Sequence, residues 1–191
     1  MGAPPLGPTI IPPVRTLWLR DRALDLDRVR LLGVLNLTPD SFSDGGRYLD
    51  PERALERARE MVAEGADILD LGAESTRPGA APVPVEEEKR RLLPVLEAVL
   101  SLGVPVSVDT RKPEVAEEAL KLGAHLLNDV PGLRDERMVA LAARHGVAAV
   151  VMHMPVPDPA TMMAHARYRD VVAEVKAFLE AQAKRALSAG V

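Results

Sequence analysis

No cysteine occurs among the 191 residues, so disulfides, zinc–thiolate centres and cysteine nucleophiles are excluded. No apolar run approaches the roughly 20 residues that a membrane-spanning helix needs, and no membrane partner is expected. Residues 1–13 are rich in proline and glycine and lack the basic start and apolar core of a secretory signal. The expectation is a flexible tail over residues 1–14, then one domain over 15–191, in the cytoplasm. Positive charge is not in excess: the formal net charge is −4, which argues against nucleic acid as the main partner. A small anionic substrate is still allowed, since it needs only local positive charge. No HExxH, GxSxG, Walker or Rossmann fingerprint occurs. What is present is the make-up of a globular domain, 47% hydrophobic and 27% charged, long enough for one real core. Arginine outnumbers lysine and proline is frequent, a balance that suits a thermophile and equally a biased genome.

The chain reads as alternating strands and helices. Two short alternating runs within residues 16–26, with Asp21 and Arg22 between them, predict a hairpin. A strand over 31–37 follows, with a buried-looking amide, Asn36, at its far end and a polar loop after it. Asp50 as N-cap and Pro51 at the first helical position open a helix whose apolar face is Leu55, Ala58, Met61 and Val62, and Gly65 ends it. Further strands are predicted over 67–72, 104–108, 125–130 and 147–152. Helices are predicted over 85–102, 113–122, 135–145 and 168–187, the last one amphipathic. On the helix over 85–102, Leu92, Leu93, Leu96, Val99 and Leu100 face inward, and the charge run over 86–91 reads as a solvated face.

Such alternation means a parallel sheet with helical crossovers. An open doubly wound sheet and a closed (β/α)8 TIM barrel both fit, and the polar residues favour the barrel. Asn36, the segment 74–77, Asp109, Asn128, Met152 and His153 all fall at or just past the carboxyl ends of successive strands. In a barrel those ends converge on one mouth, whereas in an open sheet only those near the switch point meet. The hairpin can close the opposite end. About five β/α units are legible where a full barrel has eight in roughly 250 residues. The expectation is therefore a C-terminally truncated barrel with exposed sheet edges.

Several segments carry a more specific signal. The run Gly33-Val34-Leu35-Asn36-Leu37-Thr38-Pro39-Asp40-Ser41-Phe42-Ser43-Asp44-Gly45-Gly46 resembles the first signature of the dihydropteroate synthase family of pterin-binding enzymes. Asp70-Leu71-Gly72-Ala73-Glu74-Ser75-Thr76-Arg77-Pro78-Gly79 resembles the second. Val106-Ser107-Val108-Asp109-Thr110, Leu127-Asn128-Asp129-Val130 and Val151-Met152-His153-Met154 are similar to the third-, fourth- and fifth-strand motifs. The first two are highly specific and the others supportive, and the order is collinear from about residue 15 to the end. The resemblance implies a transferase of folate biosynthesis. Its substrates would be 6-hydroxymethyl-7,8-dihydropterin diphosphate and p-aminobenzoate, and its products 7,8-dihydropteroate and pyrophosphate. It further implies Mg2+, sensitivity to sulfonamides and a homodimer.

The residues match that chemistry in kind. The side-chain oxygen of Asn36 is a hard neutral ligand suited to Mg2+, and the resemblance gives it the metal and the pyrophosphate. Without the surrounding motif, a strand-end cap through backbone bonds would be the simpler role. Asp109 and Asn128 can read the 2-amino-4-oxo edge of a pterin, the carboxylate accepting from its N–H groups and the amide both donating and accepting. Met152 offers a polarizable wall for a flat ring. Arg77 can face an anion bidentately. The resemblance makes Asp109, Arg77 and Asp44 catalytic, with Asp109 opposite in charge to a pterin cation and Asp44 near the metal. It places Phe42, Thr76 and Pro78 in the p-aminobenzoate pocket. His125, His145 and His165 read as structural or surface residues, and His153 as a weak candidate. The family's carboxylate, lysine and arginine–histidine pair on strands six to eight have no counterpart here, so a molecule ending at Val191 is expected not to turn over. Two rivals differ in kind: a methyltetrahydrofolate-binding methyltransferase domain, against which the loops at 38–46 and 75–79 argue, and a non-catalytic pterin-binding paralogue or fragment.

Overall fold

Five parallel strands lie side by side in chain order, each joined to the next by a helical crossover. In the computed structural model the residues described are 15–38, 50–75, 81–158 and 161–191. The sheet strands are β3 (Leu32–Asn36), β4 (Ile68–Gly72), β5 (Val106–Asp109), β6 (Leu126–Asp129) and β7 (Ala148–Val151). The crossovers are α1 (Pro51–Ala63), α2 (Val85–Leu100), α3 (Pro113–Leu122) and α4 (Glu136–His145). After β7 come a short α5 (Met162–His165) and a long α6 (Val171–Ala189). Before β3, the strands β1 (Thr16–Leu19) and β2 (Arg22–Asp25) form an antiparallel hairpin. This is the hairpin and first five β/α units of a (β/α)8 barrel, the architecture that the strand-end polar residues favour over an open doubly wound sheet.

Local chemistry sets most helix ends. Asp50 accepts from the Glu52 N–H and Pro51 starts α1; Asp135 accepts from Arg137 at the start of α4; Asp170 accepts from Ala173 at the start of α6. Gly123 and Gly146 take left-handed conformations that close α3 and α4. The main core lies between sheet and helices: Leu35, Leu69, Leu71, Val108 and Leu127 of the strands pack on Ala58, Leu92, Leu96, Ala119, Leu120 and Met138 of the helices.

The hairpin closes the amino-terminal end of the sheet. Leu19 is fully buried against Ile68 and Leu126, the first residues of β4 and β6, with Leu17, Leu24 and Ala148 around them. Its turn differs from the expected one. Leu19 pairs with Arg22, so Arg22 lies in β2 and the turn is Arg20–Asp21. Arg20 adopts φ 59°, and its guanidinium donates to the Leu120 carbonyl at 2.8 Å, capping α3. Below β4, Asp67 accepts from the Leu31 N–H at 2.9 Å and from Arg28 and Arg30. The Leu31 bond first, then the Arg28 guanidinium, holds its carboxyl down at about 2.

Two further expectations change, and one helix face is left open. Asn36 is exposed, because β3 is an edge strand of the described sheet. Glu88, in the charge run read as solvated, is 0% exposed. The apolar face of α6 is largely open: Val171, Val172 and Leu187 are exposed, and Ala186 alone is buried among the helix's described residues.

Behind β6 the chain makes a tight passage. Gly132 has φ +80°, and a Cβ there would fall 2.2 Å from the Met152 carbonyl oxygen and 2.9 Å from Cε1 of Phe178. Gly132→Ala is expected to destabilise the fold by about 2–4 kcal/mol, combining left-handed strain with overpacking against backbone. Urea unfolding measures it, and an unchanged midpoint contradicts the close packing.

Candidate active site at the carboxyl ends of the strands

Parallel pairing aligns one residue per strand at the mouth: Asn36, Gly72, Asp109, Asn128 and Val150 are consecutive register partners. All five point to the inner face, since Leu35, Leu71, Val108, Leu127 and Ala149, one residue before, pack on the helix side. One layer deeper on the same face come Val34, Asp70, Ser107, Leu126 and Ala148. Gly72 matters by what it lacks. A Cβ there would lie 3.4 Å from Cβ and 3.6 Å from Oδ2 of Asp109, so glycine leaves that flank of the carboxylate open.

Asp109 is the electrostatic centre of the layer. Burial, foremost, and then the charges of Asp70, Asp129, Glu88 and Glu74 push its carboxyl up to about 7. Asn128, beside it, donates from Nδ2 to Oδ2 of Asp70 at 3.1 Å. Asp70 is 3% exposed and its Oδ1 has no hydrogen-bond partner, and neither has the Ser107 hydroxyl in the same layer. Asp70 is not among the residues that the sequence reading singles out. A signal for it is present: an acid inside a fully buried strand, Ile68-Leu69-Asp70-Leu71-Gly72, is costly unless it is used.

Around the mouth, loops are fastened by ions. Glu74, just past β4, accepts from Arg111 at 2.9 Å, from Lys112 and from the Val83 N–H at 3.3 Å. Lys112 also donates to Glu88 of α2, whose other oxygen accepts from the Thr110 hydroxyl at 2.5 Å. Burial pushes the Glu74 carboxyl up, but Lys112 and Arg111 together outweigh it and hold the group below the usual carboxylate range. Glu74 thus ties together the two flanks of the second signature loop. Asp129, one residue past Asn128, faces away from the mouth and accepts from the Leu133 N–H at 2.6 Å; burial raises it to about 6. Arg134 donates to Pro131 O at 3.1 Å and Met154 O at 2.6 Å and lies 4.4 Å above the Phe178 ring, so it joins the loop after β6 to that after β7.

Met152 stands at the mouth, 40% exposed. His153 turns into an aromatic group, 5.2 Å from Phe178 and 5.8 Å from Tyr168. His125 is buried and accepts from the Val106 N–H through Nδ1 at 3.2 Å, a structural role. Phe42, Asp44, Thr76, Arg77 and Pro78 lie outside the described residues. Among the described residues, the Asn36 amide has no hydrogen-bond partner, and no group of three or more His, Cys, Asp or Glu is placed to hold a metal. A single unengaged amide oxygen does fit Mg2+, which keeps several waters and takes other ligands from phosphate.

A half-buried acid–amide pair at the carboxyl ends of barrel strands, with glycine beside it, has the hydrogen-bonding groups to receive a flat, donor-rich ring. The chain belongs to the pterin-binding enzymes: the family model described as pterin binding enzyme matches residues 32–191. It is similar to the dihydropteroate synthase of Thermus thermophilus in complex with 4-aminobenzoate, at 90% identity and TM-score 0.82, over 93% of this chain and 63% of that one. It is similar also to the Xanthomonas albilineans dihydropteroate synthase with 4-aminobenzoic acid, at 46% identity and TM-score 0.83, over 93% of this chain and 63% of that one. The Escherichia coli dihydropteroate synthase is 44% identical over 176 residues, 92% of this chain and 62% of that protein. The chain therefore spans about three-fifths of the length of these relatives.

Two outcomes follow from the electrostatics. Lys112→Met leaves the Glu88 carboxylate buried without its cation, and should cost about 3–5 kcal/mol in chemical denaturation; a loss near zero contradicts the clamp. Asp109, raised from 3.8 to about 7, binds more protons in the folded than in the unfolded state across that window. Its contribution to stability is therefore complete below about pH 4 and is lost as pH rises to about 7, with a slope approaching roughly 1.4 kcal/mol per pH unit. Asp109→Asn should reduce the slope of unfolding free energy over about pH 4–7, leaving the share of Asp129 below about 6.

Proposed function

We propose that the protein carrying this chain is a dihydropteroate synthase, joining 6-hydroxymethyl-7,8-dihydropterin diphosphate to p-aminobenzoate. The observation that carries the reading is the Asp109–Asn128 pair at the mouth, in register and backed by Asp70, in a chain whose relatives are named dihydropteroate synthases. Ionised Asp109 accepts from the amino and ring N–H groups of the pterin, and Asn128 reads the neighbouring edge. Met152 lies against the ring. The negative charge of Asp109 favours the cationic character that develops on the pterin as the diphosphate departs. Mg2+ would be held by Asn36 together with the diphosphate, with Asp44 near it, and would supply neutralisation of the leaving group. By the family resemblance, Arg77 would assist at the anionic end, and Phe42, Thr76 and Pro78 would belong to the p-aminobenzoate pocket. No covalent nucleophile is needed, because positioning and electrostatics carry the reaction. Sulfonamides, present in the Yersinia pestis dihydropteroate synthase drug complex, would compete at the p-aminobenzoate pocket.

Binding a donor-rich ring requires Asp109 to be ionised. Affinity for the pterin diphosphate should therefore rise about tenfold per pH unit up to about 7 and level off above it. Calorimetric titration across about pH 5–9 in the presence of Mg2+ reads this. Coupling of radiolabelled p-aminobenzoate tests the reaction itself: Asp109→Asn should lower it by two or more orders of magnitude, roughly the weight of a lost preorganised charge. Full coupling in that variant, or pterin affinity indifferent to pH, would sink the assignment.

A further inference from the structure

On the pterin-binding reading above, we propose that Asp70 is a positioning residue: it fixes the orientation of the Asn128 amide and thereby decides which hydrogen-bonding groups the ring meets. Asp70 sits one layer below the mouth on β4, and Asn128 in the mouth layer on β6, so their bond reaches diagonally past β5. A carboxylate accepts and cannot donate. The amide must therefore turn its NH2 toward Asp70, at 3.1 Å, and present its carbonyl oxygen and one remaining N–H elsewhere. Without that partner, a half-buried amide can flip, exchanging acceptor for donor at the ring edge. Asp70 is 3% exposed, and its hold on Asn128 is the sole hydrogen bond of its carboxylate among the described residues. Among those residues no cation neutralises it, in contrast to Glu74 and Glu88, which share Lys112. A buried acid kept without a cation beneath a ligand-reading amide has a job in orientation rather than in stability.

The test separates the ring from the anionic tail of the ligand. Asp70→Asn keeps the shape and removes the obligate acceptor. Affinity for 6-hydroxymethyl-7,8-dihydropterin should fall about 10- to 100-fold, the worth of a charge-assisted hydrogen bond. Affinity for inorganic pyrophosphate with Mg2+ should stay within about twofold. In an Asn128→Ala background, Asp70→Asn should have no further effect on ring affinity, because Asp70 acts through that amide. Asp70→Ala, which removes the acceptor without adding a donor, should give the same split and serves if the first variant folds poorly. Unchanged ring affinity, equal loss for both ligands, or an undiminished effect in the Asn128→Ala background each overturns the proposal. If the unmodified protein binds no pterin, the functional reading fails instead. The hold is then read directly from the side-chain amide nuclear resonance signals of Asn128: they move in Asp70→Asn if it exists, and their staying put overturns it.

Discussion

The in-register pairing of β3 to β7 is the constraint on which the site depends. Side chains alternate faces along a strand with period two, so one register assignment decides, for all five strands at once, which residues face the mouth and which face the helices. Asn128 and Asp129 make the point. They are adjacent in sequence, both polar, and both beside the carboxyl end of β6. One faces inward and meets Asp70; the other faces the helix side and ties down the backbone at Leu133. A slip of one residue would exchange those roles and place a carboxylate where the ring edge should be read.

Carboxylates at this end of the sheet fall into two groups with different electrostatics. Glu74 and Glu88 are bound by Lys112, and Arg111 adds to Glu74, so their charges are compensated and their loops are fastened. Among the described residues, Asp70 and Asp109 have no such cation, and Asp109 is held at about 7 by burial and by its acidic neighbours. Leaving acids uncompensated costs stability, and such groups cluster where a ligand completes the balance. A ring presenting several N–H donors does so without bringing a full counter-charge. The compensated acids set the loops; of the uncompensated ones, Asp109 is left to the ligand and Asp70 holds the Asn128 amide.

Much of the fold is legible in the sequence because it rests on local chemistry. Asp50 with Pro51, Pro113 with Gly123, and Asp135 with Gly146 are caps written within a few residues of the helices they bound. Sequence and structure part where distant residues decide. The hairpin turn shifts by one because Arg20 takes a left-handed conformation, which nothing in its neighbours requires; its guanidinium is bound to α3, 100 residues on. Glu88 reads as solvated because its helix neighbours form short-range ion pairs, Glu87 with Arg90 and Arg91. Its burial comes from Lys112 and Thr110 on the loop after β5. Asn36 reads as buried from its apolar flanks, although its strand is an edge of the described sheet. Of the candidate residues, Asp109, Asn128, Asn36 and Met152 fall where strand-end reasoning puts them. Their partner Asp70 escapes that reasoning because it is a charge inside a strand, and only the register reveals that it lies beneath the amide.

The polar groups are also distributed unevenly around the mouth, and that distribution constrains how a ligand lies. Below the mouth layer, the inner face at the two edges is apolar, with Leu32 and Val34 on β3 and Ala148 on β7, while Asp70 and Ser107 lie beneath the centre. A polar ring edge is therefore best satisfied over β4 to β6, where acid and amide stand together. Asn36 lies three strand spacings from Asn128, about 14 Å along the sheet. A compact ligand cannot use both. A ligand with a flat, donor-rich head and an extended anionic tail can, with its head over Asp109 and Asn128 and its tail toward β3, where a neutral amide oxygen suits a hydrated cation better than a bare phosphate. In the dihydropteroate synthase reading this separation also keeps the departing diphosphate away from Asp109, so the charge that favours the pterin cation does not repel the leaving group at close range.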